Sequence, residues 1–255
     1  MEAWLRQWIN LTDYSLAQLA VVGVGTSLWG VAYLAIIYNS FRKRFVEMPA
    51  FVACGNLGWE FVWGFVFHPN MGPLVVHLYQ MCFVLDTLIF YNLLRYGHKQ
   101  VDVPELRRAW KPLCVAMFIL SAITCYFFRA AGYDDVLGAT SAYILQVLIS
   151  VQYITLFFRV RNRSLYSVVG TWARRLGTAI ITVGMFMIYP QNHFLQYVGI
   201  VCMVLDGIFV ALLHISAFGA LISRWEPPAP LRTAPVKSLP FGEPDKPVAR
   251  LGWRA

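Results

Sequence analysis

Only 13% of this 255-residue chain is charged, and no more than 13 residues are acidic. Lysine is scarcer still, with five in all, at positions 43, 99, 111, 237 and 246. The five cysteines, Cys54, Cys82, Cys114, Cys125 and Cys202, form no CxxC pair and no spaced framework, so they are expected as small buried thiols. Neither a zinc signature nor a Walker loop is present, and no metal or cofactor is implied. Polar segments are short before residue 222, which excludes a separate soluble domain there. What remains is greasy: 58% of residues are hydrophobic, 16% are aromatic, and the mean hydropathy is +0.57.

A bilayer span needs about 20 mostly apolar residues. Seven stretches qualify, near 15–38, 46–67, 73–94, 110–130, 137–159, 171–190 and 194–220. The first reads as a span and not a cleaved signal, because no small-residue cleavage site interrupts it convincingly. The expected fold is therefore all-α and polytopic, with a seven-helix transmembrane domain over 1–222. From Glu226 onward seven prolines break any helical pattern, so 223–255 is expected to be a Pro-rich flexible tail.

Basic residues set the orientation. Arg42, Lys43 and Arg44 follow the first span; Arg95, Lys99, Arg107, Arg108 and Lys111 join the third to the fourth. Arg159, Arg161, Arg163, Arg174 and Arg175 surround the link from fifth to sixth, and six more basic residues follow the seventh. Of the 21 Lys and Arg, only Arg6 and Arg129 fall on the other side. The positive-inside bias places the N-terminus outside and the C-terminus in the cytosol. A net charge of +8 suits contact with anionic lipid headgroups, not nucleic acid. Asn10-Leu-Thr12 matches a glycosylation sequon on the outer side.

Three carboxylates interrupt the apolar stretches: Glu60, Asp86 and Asp206, each in a different span. Charge in hydrocarbon is expensive, so such residues are expected to face a shared interior cavity. Asn56 and Glu60 lie four apart on one helical face, with Trp63 three further on, and Gly55 and Gly58 permit a close approach by a neighbour. Desolvation disfavours a lone carboxylate, so Glu60 or Asp206 can carry the proton of a general acid. The competing reading is that these acids only tie helices together. Trp59, Trp63, Phe83, Phe90 and Tyr91 lie near them in sequence, with Tyr79 and Tyr197 one to two turns away. Such rings can line an apolar pocket and stabilise a passing cation. Gln80, Tyr153 and Met203 complete the expected lining.

Cys82-Phe83-Val84-Leu85-Asp86 is echoed by Cys202-Met203-Val204-Leu205-Asp206 at an offset of 120 residues. The same offset pairs Tyr33 with Tyr153 and Glu60 with Ile180. This suggests two parallel three-helix units joined by the fourth span, a 3+1+3 arrangement that some small transporters also use. His68, His77 and His193 sit near the outer helix ends at no fixed metal spacing, and His214 follows Asp206 by eight residues as a candidate proton relay.

Gly55-Asn56-Leu57-Gly58-Trp59-Glu60-Phe61 in the second span, with an aspartate in the seventh, resembles the integral-membrane terpene cyclases of meroterpenoid and indole-terpenoid biosynthesis. The resemblance covers about residues 10–222. It implies that Glu60 and Asp206 are the catalytic acids and that Asp86 orients the acid or holds the substrate head. The implied reaction is non-redox: an acid protonates the terminal epoxide or alkene of a prenyl chain carried by an aromatic or indole head, and carbocations close the rings. The absence of an Asp-rich diphosphate-binding motif agrees with protonation as the trigger. The implied setting is a monomer in a bacterial plasma membrane or the endoplasmic reticulum, working with a prenyltransferase and an epoxidase on a lipophilic prenylated substrate.

The strongest rival is a small-molecule transporter of 3+1+3 architecture, and a heptahelical receptor is a weaker one. A retinal photoreceptor is excluded, since a Schiff base needs an intramembrane lysine and every lysine lies in a segment expected to be cytosolic.

Overall fold

The computed structural model describes residues 2–160 and 162–214. Arg161 and the expected Pro-rich tail lie outside the described residues, as do the last residues of the seventh stretch. Nine α-helices follow one another among the described residues: α1 (Glu2–Trp8), α2 (Leu16–Lys43), α3 (Ala50–Val62), α4 (Pro73–Tyr96), α5 (Pro104–Arg108), α6 (Trp110–Ala130), α7 (Ala139–Arg159), α8 (Val168–Ile188) and α9 (His193–His214). A π-helical turn, Trp63–Phe67, prolongs α3. Each of the seven expected stretches coincides with a long helix. Boundaries moved: the first helix runs on to Lys43, and the second starts at Ala50, leaving 44–49 as a loop that is buried over 45–48.

The fold is all-α and polytopic, with six apolar candidate spans: α2, α3 with its π turn, α4, α6, α7 and α9. α8 is as long as α6 and α7 but carries adjacent Arg174 and Arg175 and does not meet the same composition requirement.

Local chemistry explains the helix ends. Ser15 and Gln18 form a reciprocal capping box at the start of α2: the Ser15 N–H donates to Gln18 Oε1 (2.8 Å) and the Gln18 N–H to Ser15 Oγ (3.3 Å). Asp134 and Asp135 cap α7, accepting from the backbone N–H groups of Leu137, Ala139, Thr140 and Ser141. A helix leaves its first N–H groups unsatisfied, and two carboxylates there also complement the macrodipole. Ser167 caps α8.

Chain links gather at two ends. At the basic end Lys43 Nζ donates to Ser164 O, Val46 exchanges hydrogen bonds with the Gln100 side chain, and Arg159 pairs with Asp102 at 2.7 Å. At the opposite end Asn10 donates to Asn70 O, Gln18 to Met187 O, and the Tyr189 hydroxyl to Asp135. Sequential long helices therefore run up and down between these ends. Asn10, the sequon residue, already uses its amide nitrogen on Asn70 O and Asp13.

Glycine sets the closest crossings. Where α2 meets α8, a Cβ on Gly25 would lie 2.5 Å from the Ile181 side chain and 3.1 Å from Gly177 O. Where α3 meets α6, a Cβ on Gly58 would fall 2.8 Å from the Ala122 backbone nitrogen. Lipid tails offer no hydrophobic drive for helix association, so such contacts rely on close van der Waals fit.

Candidate active site

Between α2, α3, α4, α7 and α8 lie two adjoining chambers that share wall residues. The larger lies toward the end opposite the basic loops, where Ile9, Met71 and Leu137 border it. The smaller reaches toward the basic end, past Tyr33 and Tyr153 to Arg174. Trp29, Trp59, Glu60, Ala142 and Gln146 border both chambers. Glu60 thus stands at the waist.

Glu60 is 5% exposed, and its Oε2, like Asp86 Oδ1 and Asp206 Oδ2, is buried with no hydrogen-bond partner; of the three acids only Glu60 lines the chambers. Asp86 comes from α4 and is 1% exposed; its Oδ2 accepts from Asn56 Nδ2 at 2.5 Å. The second Asn56 N–H donates to the Tyr33 hydroxyl at 2.7 Å. One helical turn of α3 separates Asn56 from Glu60, so a single face presents both the amide that holds Asp86 and the unpartnered carboxyl. An ionised Glu60 would meet no cation on that face, and an uncompensated buried charge is costly.

Trp59 forms part of the wall beside this pair. Its indole N–H donates to Ser141 Oγ (2.8 Å), which donates in turn to Asp134, and its ring lies 5.3 Å from that of Tyr79. The α7 cap therefore fixes the rotamer of an aromatic wall residue. Burial raises the Asp134 carboxyl above its ordinary value, opposed by the Ser141 hydrogen bonds. Tyr79 borders the larger chamber and donates to Leu137 O at 3.3 Å.

Asp206 stands elsewhere. It is 1% exposed, accepts from the Ser150 hydroxyl at 2.6 Å, and pairs with Arg174 Nη2 at 2.9 Å. Arg174 itself lies on the smaller chamber's wall, its guanidinium 4.3 Å from the Tyr153 ring centroid. Asp206 is absent from either chamber's lining and reaches the cavity only through Arg174.

The other expected liners divide. Asn56, Trp59, Tyr79 and Tyr153 border the cavity. Trp63 packs instead beneath Gly138 and against Phe67. Gln80 braces the π turn by donating to Gly64 O. Phe83 packs at an angle against Phe61 and edge-on to Phe65, and Phe90 at an angle against Phe118, at the α3–α4–α6 seam. Tyr197 is 66% exposed and Met203 38%, both on the outer face of α9. Position in sequence near an acid is not position in space: neighbours one or two residues away on a helix point to different faces. Sequence reasoning missed Trp29, Tyr33, Gln146 and Arg174. The signal for Arg174 was available, since a charge inside a stretch drawn as a span is a site by default. Among the described residues no group of three or more His, Cys, Asp or Glu could hold a metal ion. His214 accepts from the Trp172 indole N–H at 2.9 Å.

A family model of Pyr4-like transmembrane terpene cyclases matches residues 11–216, which contain both chambers apart from Ile9 and all three acids. The chain belongs to this family. Among curated relatives, the terpene cyclase macJ of Penicillium terrestre is 31% identical over 157 residues, 59% of each chain. The terpene cyclase janB of Penicillium janthinellum is 26% identical over 137 residues, 53% of this chain and 56% of the relative. For the terpene cyclase dpasB of Apiospora sacchari the figures are 25% over 131 residues, 51% and 52%. The chain thus spans between half and three-fifths of the length of these Pyr4-like relatives. No solved structure gives a significant match.

Proposed function

We propose that this Pyr4-like chain is a non-redox, acid-initiated terpene cyclase acting on a prenylated aromatic or indole substrate that reaches it from the bilayer. The observation that carries the reading is the unpartnered Glu60 carboxyl at the waist of a largely apolar two-chamber cavity. Glu60 transfers its proton to the oxygen of a terminal epoxide, or to a terminal alkene. In the epoxide case the C–O bond breaks, and its electron pair stays on the new hydroxyl oxygen. Each chain alkene then attacks the cation before it, moving the positive charge along. Loss of a proton from the last cation, returned to the Glu60 carboxylate, restores the resting site. Substrate and product have the same composition.

The residues have distinct parts in this scheme. Asp86, held by Asn56 and through it by Tyr33, fixes the face on which Glu60 works. Trp29, Trp59 and Tyr79 present ring faces to the developing cations, and the apolar wall excludes the water that would capture them early. Asp206 is a positioning residue that holds Arg174 on the smaller chamber's wall. The substrate requires a prenyltransferase and, for the epoxide form, an epoxidase before this step.

We infer further that all seven long helices cross the membrane, N-terminus outside and C-terminus cytosolic; in α8 Arg174 is neutralised by Asp206, and Arg174 and Arg175 both lie in the half of the helix nearer the basic end. The helix neighbours support the 3+1+3 repeat: α4 packs on α2 and α3 as α9 packs on α7 and α8. Between the units α2 meets α8, and α3 meets α7. The paired aspartates follow the same scheme, Asp86 bound by α3 and Asp206 by α8.

The test is to incubate the purified protein in lipid nanodiscs with linear farnesylated arenes and indoles, with and without a terminal epoxide. A cyclised product of unchanged mass, identified by NMR, is expected from at least one. No product from any of them, combined with substrate flux into proteoliposomes, would assign the cavity to transport.

A further inference from the structure

The cavity is chemically two-ended, and only one end carries a fixed charge. The larger chamber is walled mainly by aliphatic and aromatic side chains. The smaller gathers the Asn56 amide, the Tyr33 and Tyr153 rings and the Arg174 guanidinium. We infer that Arg174 is the head-group receptor, and that the head it takes is an oxygenated ring presenting a carbonyl, enolate or phenolate oxygen, not an indole. This rests on the cyclase reading of the same cavity and narrows its substrate class.

Three observations carry it. First, Arg174 is 7% exposed and rigidly mounted: Asp206 holds Nη2 at 2.9 Å, Ser150 lies 3.4 Å from Nη1, and the Tyr153 ring covers one face. Second, its donors are not exhausted, because Nε is buried without a partner. A guanidinium has five N–H donors and no acceptor, so only an acceptor can complete it. Third, the ion pair does not need to reach a cavity to hold helices together. Buried pairs are often replaceable by apolar residues with little loss of stability, so a charge on the wall of a lipid-substrate cavity points to a ligand-directed use.

An indole N–H is itself a donor. Set against Arg174, it opposes donor to donor and leaves both unsatisfied. A ring carbonyl or phenolic oxygen makes a charge-assisted hydrogen bond in a site of low dielectric, and the planar fork suits two oxygens on one ring. With the head fixed there, the prenyl chain passes Glu60 at the waist and folds in the larger chamber.

The experiment uses the full chain in lipid nanodiscs and two tritiated probes with saturated farnesyl chains, so that neither turns over. One carries a hydroxybenzoate methyl ester and the other an indole. Wild type is expected to bind the ester probe roughly tenfold or more tightly than the indole probe, a difference of about 1.4 kcal/mol or more. Glu60→Gln should keep that preference. The Arg174→Gln/Asp206→Asn double variant, which strands no charge, should bring the two probes within about twofold; thermal melting verifies that it folds. Equal affinity in wild type, a preference for indole, or a preference that survives in the double variant overturns the assignment but leaves the cyclase reading intact. Failure of wild type to bind either probe sinks both. Should the double variant not fold, the wild-type comparison still decides.

Discussion

Exchanging Glu60 for Gln, and separately Asp206 for Asn, should produce opposite profiles of activity and stability. No hydrogen bond completes Glu60 Oε2, and neither ion pair found among the described residues includes Glu60. An amide of the same shape therefore removes a proton donor but almost no native contact. The expected stability change is within about 1 kcal/mol. Loss of a general acid, by contrast, lowers turnover by roughly 10²–10⁴-fold, or about 3–5 kcal/mol of barrier. Asp206 is the reverse case: it neutralises Arg174 at 2.9 Å with both side chains at least nine-tenths buried. Removing one partner of such a pair leaves an uncompensated charge and costs about 3–5 kcal/mol. In a protein of this size that lowers Tm by on the order of 10 °C. Turnover by mass spectrometry and melting by tryptophan fluorescence, both in nanodiscs, read the two quantities on the same samples. The reasoning is refuted if Glu60→Gln retains wild-type turnover in an active preparation, or if Asp206→Asn melts with wild type.

Glu47, 2% exposed in the loop before α3, gives a pH signature. Burial pushes its carboxyl from 4.5 up to about 7, opposed by the Ser167 N–H, Lys43, Asn39 and Arg174. Between about pH 4.5 and 7 the native state keeps a proton that the unfolded chain has lost, so the Glu47 contribution is complete below that window, declines through it and is gone above it. It amounts to about 3 kcal/mol, and Glu47→Gln should flatten this part of the melting profile measured from pH 4.5 to 7.5. Gly58→Ala would drive a Cβ to 2.8 Å from the Ala122 backbone and should cost about 1–3 kcal/mol by forcing α3 off α6. Gly30→Ala, with nothing within 4 Å, should melt no lower than wild type. Asn56→Leu strips the partner from Asp86 Oδ2 and should cost about 1–3 kcal/mol, whereas Tyr33→Phe removes one hydrogen bond at about 1 kcal/mol; chemical denaturation in mixed micelles ranks them.

Much was determined by the sequence alone. Apolar runs of about 20 residues have few structural outcomes, because every backbone polar group must be satisfied within the segment, so the seven long helices were legible from hydropathy. The three acids stood out for the same reason, each a costly residue in an apolar run. The Gly-Asn-Leu-Gly-Trp-Glu-Phe segment pointed to the family that the match over residues 11–216 assigns. Only tertiary structure could separate the acids, because depth along a helix says nothing about which neighbour faces it. Asn56 reaches Asp86 across α3 and α4 and leaves Glu60 alone at the cavity waist. Arg174, counted in the sequence as one more basic residue near a membrane face, turns inward to claim Asp206 and stands on the cavity wall in its place. Hydrophobicity decides which segments become helices, but pairing among their few polar groups is settled only when the helices meet.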